Sequence, residues 1–148
     1  MLKSQTTREF FEIQRIYLKN ISFKSPNTPK IFCKNWDPNI KFNLNIAVEN
    51  IKKNIFEVIL KIKIVVTIQT ELVFLCNVHQ AGIFCILNLD EKKLRYCLYA
   101  YCPDILFPYS RSCISNLVSN ASFPSLNIAP VNFHDMYYNN IKNHQDVL

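Results

Sequence analysis

Six cysteines (Cys33, Cys76, Cys85, Cys97, Cys102, Cys113) and three histidines (His79, His134, His144) are the side chains here best suited to metal binding or nucleophilic catalysis. A zinc site draws thiolates and imidazoles from closely spaced pairs, but the sequence has no C-x-x-C and its histidines fall in no ligand pattern. A nucleophilic cysteine needs an imidazole within hydrogen-bond reach, and nothing in the sequence brings such a pair together. The stretch Met1–Glu9 lacks the apolar run of a secretory signal, so the thiols are expected to stay reduced, in the cytoplasm, as buried or half-buried small hydrophobes. Gly82 is the single glycine, which excludes the phosphate-cradling loops of nucleotide enzymes, and no serine sits in a G-x-S-x-G elbow. The carboxylates are few and scattered. An enzyme has no candidate residues here, and neither a cofactor nor a metal is expected.

The formal net charge of +6 leaves a polyanionic partner open. The lysines are nevertheless dispersed, with only Lys52-Lys53 and Lys92-Lys93 adjacent, and there is no arginine-rich helix, zinc finger or RNA-binding aromatic strand. A basic nucleic-acid-binding protein is the rival reading of another class, and a steep loss of affinity with salt would mark it. Abundant lysine, asparagine and isoleucine also fit an AT-biased genome. Aromatics at 13% exceed what one small core readily hides, so the surplus is expected at subunit contacts or on a binding surface.

The elements that position these residues read as strands followed by helices. Phe11, Ile13, Tyr17, Ile21 and Phe23 fall on one side of a strand from about Phe10 to Phe23. Ile40, Phe42, Leu44, Ile46 and Val48 alternate with polar neighbours. Phe56, Val58, Leu60, Ile62, Ile64, Val66 and Ile68 line one face of a third run; Glu57, Lys61, Lys63 and Thr67 line the other. That run is the most apolar of the chain, yet its charges and length fall short of the ~20 apolar residues a membrane-spanning helix needs. A fourth run, Glu71 to about Leu87, sends Leu72, Phe74, Cys76, Val78 and Gln80 one way and Leu75, Asn77 and His79 the other. Thr70 separates it from the third, which predicts a tight hairpin, and Gly82 predicts a bulge.

Between the first two strands lies a long crossover, Ser25 to Pro38, carrying Phe32 and Trp36 among three prolines. After Asp90 the period becomes helical: Leu94, Cys97/Leu98, Tyr101 and Cys102, then Ile114, Leu117 and Val118. Pro103 and Pro108 predict a broken or kinked helix. A coil over Asn120–Val131 leads to a last helix capped by Asn132, with Phe133, Met136/Tyr137 and Ile141 as its stripe. The whole chain, 1–148, reads as one α+β domain: a four-stranded antiparallel sheet with helices on one face, and flexible ends at 1–9 and 143–148.

The wording of these elements resembles the SecB protein-export chaperones. The opening Phe11-Glu12-Ile13-Gln14-Arg15-Ile16-Tyr17, with Ile21-Ser22-Phe23 and Ser25-Pro26-Asn27-Thr28-Pro29, matches theirs. So do Phe74-Leu75-Cys76 with Val78 and Gln80, Gly82-Ile83-Phe84, and Ala100-Tyr101-Cys102-Pro103 with Ile105-Leu106-Phe107-Pro108-Tyr109. The run from Phe123-Pro124-Ser125-Leu126 to Val131-Asn132-Phe133 completes a collinear match over nearly the whole chain. The resemblance implies a cytosolic, ATP-independent holdase that binds unfolded secretory preproteins and delivers them to the motor ATPase SecA. It implies a homotetramer, a dimer of dimers, whose protomers pair sheets and pack the long helix between them. Neither nucleic-acid binding nor direct membrane insertion belongs to that picture.

By the same resemblance the client groove falls on Phe32, Trp36, Phe42, Leu44, Phe123, Leu126 and Tyr137. Phe74, Cys76, Val78 and Gln80 support assembly, and SecA docks on the face of Asn20, Lys24, Leu75 and Asn77. The sequence departs from the family at that last site. Asn20, Lys24 and Asn77 stand where acidic residues are expected.

Overall fold

The computed structural model describes the backbone of residues 8–146 and the side-chain surroundings of residues 8–142. Four long strands, β1 (Phe10–Lys24), β2 (Asn39–Lys52), β3 (Ile55–Ile68) and β4 (Glu71–Leu87), form one antiparallel sheet in the order β1-β4-β3-β2. The two most apolar strands are thus central and the two more polar ones form the edges. Val58, Leu60, Ile62, Ile64 and Val66 of β3 are at most 1% exposed, and Phe74, Cys76, Val78 and Phe84 of β4 lie beside them on the same face. Burying each such side chain contributes about 1.5–3 kcal/mol, which makes this face the centre of the core.

Helices cover that face. α1 (Glu91–Tyr96) starts at Asp90, whose carboxylate accepts a hydrogen bond from the Lys93 amide at 2.8 Å. A π-helical turn, Cys97–Tyr101, joins it to α2 (Cys102–Asn120) without an intervening loop. The expected interruption is therefore a widened turn placed just before Pro103, where the helix accommodates a residue that lacks an amide donor. Leu106, Ser110, Ile114 and Val118 face the sheet from α2. The coil then runs to α3 (Phe133–Asp146), and Asn132 caps it by accepting from the Asp135 amide at 3.0 Å.

Several expectations are corrected. The β3–β4 turn holds two residues, Gln69 and Thr70, with Gln69 at φ 56°. No bulge occurs at Gly82, which pairs in unbroken register with Ile16 on one side and Val58 on the other. A Cβ there would meet the Phe84 ring at 2.8 Å and Leu106 Cδ2 at 3.1 Å, so the glycine serves close packing under α2. Bulges occur instead at Ile51 of β2, at Val73 of β4 and twice in β1, where Gln14 and Lys19 are extra residues. Each shifts the alternation by one, which places Ile16 and Leu18 on the helix face and turns Tyr17 to the opposite face from Phe11, Ile13, Ile21 and Phe23. Cys33 is exposed, whereas the other five cysteines are buried or half-buried. Of the ends expected to be flexible, 1–7 and 147–148 lie outside the described residues; Glu9 pairs with Lys93 at 2.9 Å, and α3 continues to Asp146.

Candidate client groove and outer sheet face

The crossover between β1 and β2 is tied down at its start and middle. Ser25 Oγ donates to the Val73 carbonyl at 3.1 Å, and Asn27 Nδ2 donates to that of Leu72 at 3.0 Å. Lys34 reaches Glu71 at 3.1 Å, while Ile31 is 3% exposed and plugs the loop into the core. With the backbone so held, Phe32 and Trp36 remain 50% and 38% exposed. Both rings stack on Phe123, with centroids at 5.2 and 6.2 Å, and Phe123 meets Phe74 of β4 at 5.3 Å.

Apolar surface continues along edge strand β2. Ile40 and Phe42 are 46% and 41% exposed and, with Ile64, Leu126, Ile128 and Val131, bound a cavity of about 300 Å³ beneath the coil. One step further on the same face, Leu44 and Ile46 line a second cavity of about 430 Å³ against Tyr99, Met136, Tyr137 and Ile141. Successive same-face residues on a strand are about 7 Å apart, so the two cavities adjoin along β2. The far wall is fixed through α3. Phe133 is buried edge-on against Phe107 at 5.8 Å, Tyr96 Oη hydrogen-bonds His134 Nδ1 at 2.7 Å, and Tyr96 meets Tyr137 at 5.5 Å.

The seven residues assigned to the groove thus form three neighbouring groups: Phe32, Trp36 and Phe123; Phe42 with Leu126; and Leu44 with Tyr137. Phe123 is buried and acts as the floor on which the two exposed rings rest. Ile40 and Ile128 belong to the same path, and the alternation of β2 is the sequence signal that sets Ile40 beside Phe42.

Phe74, Cys76 and Val78 are at most 1% exposed and Gln80 is 5% exposed, all beneath the helices of their own protomer. Gln80 is satisfied there by donating to the Tyr17 carbonyl at 3.0 Å. Burial, with a smaller contribution from Cys113, pushes the Cys76 thiol up to about 11, so it stays neutral. Apart from Ile40 and Phe42 of β2, the large apolar side chains left exposed on that side of the sheet belong to β1: Ile13, Leu18 and Ile21 are 41–45% exposed opposite Phe84, Gln80 and Val78. Its signal in the sequence was scrambled by the two bulges.

The opposite, outer face gathers the four residues assigned to docking. Strand pairing aligns Lys24 with Leu75, Ser22 with Asn77, and Asn20 with His79. Across β3 and β2 the same three rows continue through Val65 and Lys41, Lys63 and Asn43, and Lys61 and Asn45. Burial and the neighbouring Lys61 charge both hold His79 below its ordinary proton affinity. Further along the face Glu57 is 6% exposed and receives hydrogen bonds from Tyr17 Oη and from Lys19 Nζ at 2.8 Å. Burial pushes its carboxyl up, but these two donors outweigh it and the net direction is down. Tyr17 is pushed up to about 12 by burial and then by its bond to Glu57.

The family model described as preprotein translocase subunit SecB matches residues 4–144. A protein-export protein SecB from Buchnera aphidicola subsp. Acyrthosiphon pisum is 58% identical over 142 residues, covering 96% of this chain and all of the relative. Its counterpart from Buchnera aphidicola subsp. Schizaphis graminum is 53% identical, covering 96% of this chain and 92% of that one. Among solved structures, a SecB-like chaperone of Mycobacterium tuberculosis in complex with a ChAD peptide from an antitoxin superposes with a TM-score of 0.68. It is 19% identical, covering 82% of this chain and 90% of that one, so the likeness is one of fold.

Proposed function

This chain belongs to the SecB family of protein-export chaperones, and from that premise we propose that unfolded preproteins lie along β2, between the crossover loop and α3. It is a cytoplasmic, ATP-independent holdase that passes preproteins toward SecA and Sec-dependent export, and it is not an enzyme. The observation that supports this placement of the groove is the run of half-exposed apolar side chains Phe32, Trp36, Ile40 and Phe42, leading into the cavities at Leu126 and Leu44.

A path of this kind suits a holdase. Apolar side chains and free backbone groups are common to all unfolded chains, so an apolar channel beside an edge strand binds many sequences without a motif. Binding the unfolded state alone shifts the folding balance by mass action, by ~2.7 kcal/mol at a hundredfold excess over the dissociation constant, and needs no nucleotide.

Two further parts complete the reading. The protomers assemble as a dimer of dimers with the helical faces inward, supported by the open stripe Ile13, Leu18 and Ile21. That packing leaves the outer sheet face, with Asn20, Lys24, Leu75 and Asn77, free for SecA. The groove is tested by suppression of aggregation of an unfolded client without ATP. Trp36→Ala combined with Leu44→Ala is expected to weaken client binding, each truncation removing roughly 1.5–3 kcal/mol of apolar contact. Unchanged client affinity in a folded double variant of unaltered mass removes the groove from β2.

A further inference from the structure

We propose that the outer sheet face of this chain is a receptor for an acidic polypeptide segment. The proposal deepens the reading of that face as the surface that meets the export motor, and it reverses the charge expected of the partner.

The observation is how charge is sorted across the face. Three consecutive cross-strand rows, Lys24-Leu75-Val65-Lys41, Ser22-Asn77-Lys63-Asn43 and Asn20-His79-Lys61-Asn45, contain four lysines and a histidine and no carboxylate. Among the described residues none of these lysines is within ion-pair distance of an acid. The next row, Tyr17-Ala81-Ile59-Ala47, is uncharged, and beyond it Glu57 and Glu49 lie directly opposite each other. A basic composition by itself would scatter lysines among the acids. Here the acids of the far end are matched by cations, Arg15 in their own row and Lys19 bonded to Glu57, whereas the cations of the three rows have no acid beside them.

The rows also indicate which polyanion fits. Sheet surfaces that bind nucleic acid stack bases on aromatic rings and grip phosphate with arginine forks. These three rows hold no phenylalanine, tyrosine, tryptophan or arginine, and their one imidazole, His79, is half-buried. They offer instead the half-buried aliphatic pair Leu75 and Val65, four asparagine amides, and lysine point charges around them. Lys61 and Lys63 are same-face neighbours on β3, about 7 Å apart, which matches carboxylates on alternate residues of an extended chain. An acidic segment with an occasional apolar side chain meets every one of these features.

The test uses the full-length protein and a short fluorescein-labelled poly-glutamate peptide, followed by anisotropy at low and physiological salt. Poly-lysine and a single-stranded oligonucleotide serve as comparison probes. Poly-glutamate is expected to bind saturably, and Lys41→Glu with Lys63→Glu, both at exposed positions, to weaken it by about tenfold or more. Lys52→Glu with Lys53→Glu, equal in charge change but in the β2–β3 turn region, is expected to leave it within about twofold. Absence of poly-glutamate binding, equal loss in the two variants, or tighter binding of the oligonucleotide each overturns the proposal. SecA from the same cell separates it from the docking assignment. If poly-glutamate binds as expected but does not displace SecA, the acidic receptor stands and the docking assignment falls. If Lys41→Glu with Lys63→Glu weakens SecA while poly-glutamate never binds, docking stands and the acidic receptor falls.

Discussion

The ring of Phe32 lies stacked on that of Phe123 with centroids 5.2 Å apart, joining the crossover loop to the coil that follows α2. Phe123 in turn meets Phe74 at 5.3 Å, and Phe74 stacks on Phe23 at 5.0 Å. An exposed aromatic side chain is thereby connected to the sheet through a column of buried ones. The exposed ring is held in place by packing, so little conformational entropy would be lost if a client covered it, as proposed.

This column separates stability from binding. Phe123→Ala empties a buried site and is expected to destabilise the fold by about 3–5 kcal/mol. Phe32→Ala removes a ring that is half in solvent and is expected to cost about 1 kcal/mol or less while lowering client affinity. Urea unfolding and client titration of both variants test this. Equal destabilisation by the two would contradict it.

Gly82→Ala directs a methyl group into the Phe84 ring at 2.8 Å. Phe84 is fully buried and Leu106 of α2 closes the other side, so neither yields freely. A loss of about 1–3 kcal/mol is expected, partly recovered when Phe84 is shortened to Leu in the same chain. Full stability of the single variant would show that α2 lifts from the sheet at no cost.

The cluster of Tyr17, Lys19 and Glu57 makes stability depend on pH at both ends of the scale. Glu57 titrates below its ordinary 4.5 in the folded chain, so its contribution is complete above 4.5 and is lost as pH falls from there through the folded value. Tyr17 titrates at about 12 instead of 10, so its contribution is complete below 10 and is lost between 10 and 12. Urea midpoints of wild type and Glu57→Gln are expected to converge as the pH drops below 4.5. Those of wild type and Tyr17→Phe should converge above 10. A constant gap across either window would exclude the linkage.

Light scattering is expected to give the wild type the mass of a tetramer at micromolar concentration. Ile21→Asp, on the open stripe of β1, is expected to lower that mass while helix content by circular dichroism stays unchanged. Val78→Asp, across the strand pair but fully buried, is expected to unfold the protomer instead, because an unpaired carboxylate would lie beneath α2. A monomeric wild type would contradict this mode of assembly.

The regular parts of the fold were legible because burial and period agree. Alternation marked β2, β3 and β4, and Asn132 and Asp90 occupy cap positions with side chains that accept from the third residue of their helices. What was not legible depends on contacts between distant segments. Nothing local to Gly82 announces the Phe84 ring or Leu106, and nothing local to Phe123 announces that it lies under Phe32 and Trp36. The groove residues emerged in one region because crossover loop, coil and α3 all border β2. The assembly residues proved internal because alternation distinguishes two faces of a strand but not the covered part of a face from the open part.

The two extra residues of β1 bear on how its length can change in descent. Gln14 and Lys19 each stand outside the one-to-one pairing with β4, so removing Gln14 leaves every other side chain of β1 on its present face. Removing Tyr17 has no such outlet: the residues on one side of the gap must slip by one, and Ile16 and Phe11 would trade places with Arg15 and Glu12 unless a bulge were dissolved to absorb the step. Loss at Lys19 preserves the pairing but strips Glu57 of its cation. Deletion of one residue within this strand is therefore expected to be tolerated at position 14, while the stretch from Arg15 to Leu18 is expected to keep its count.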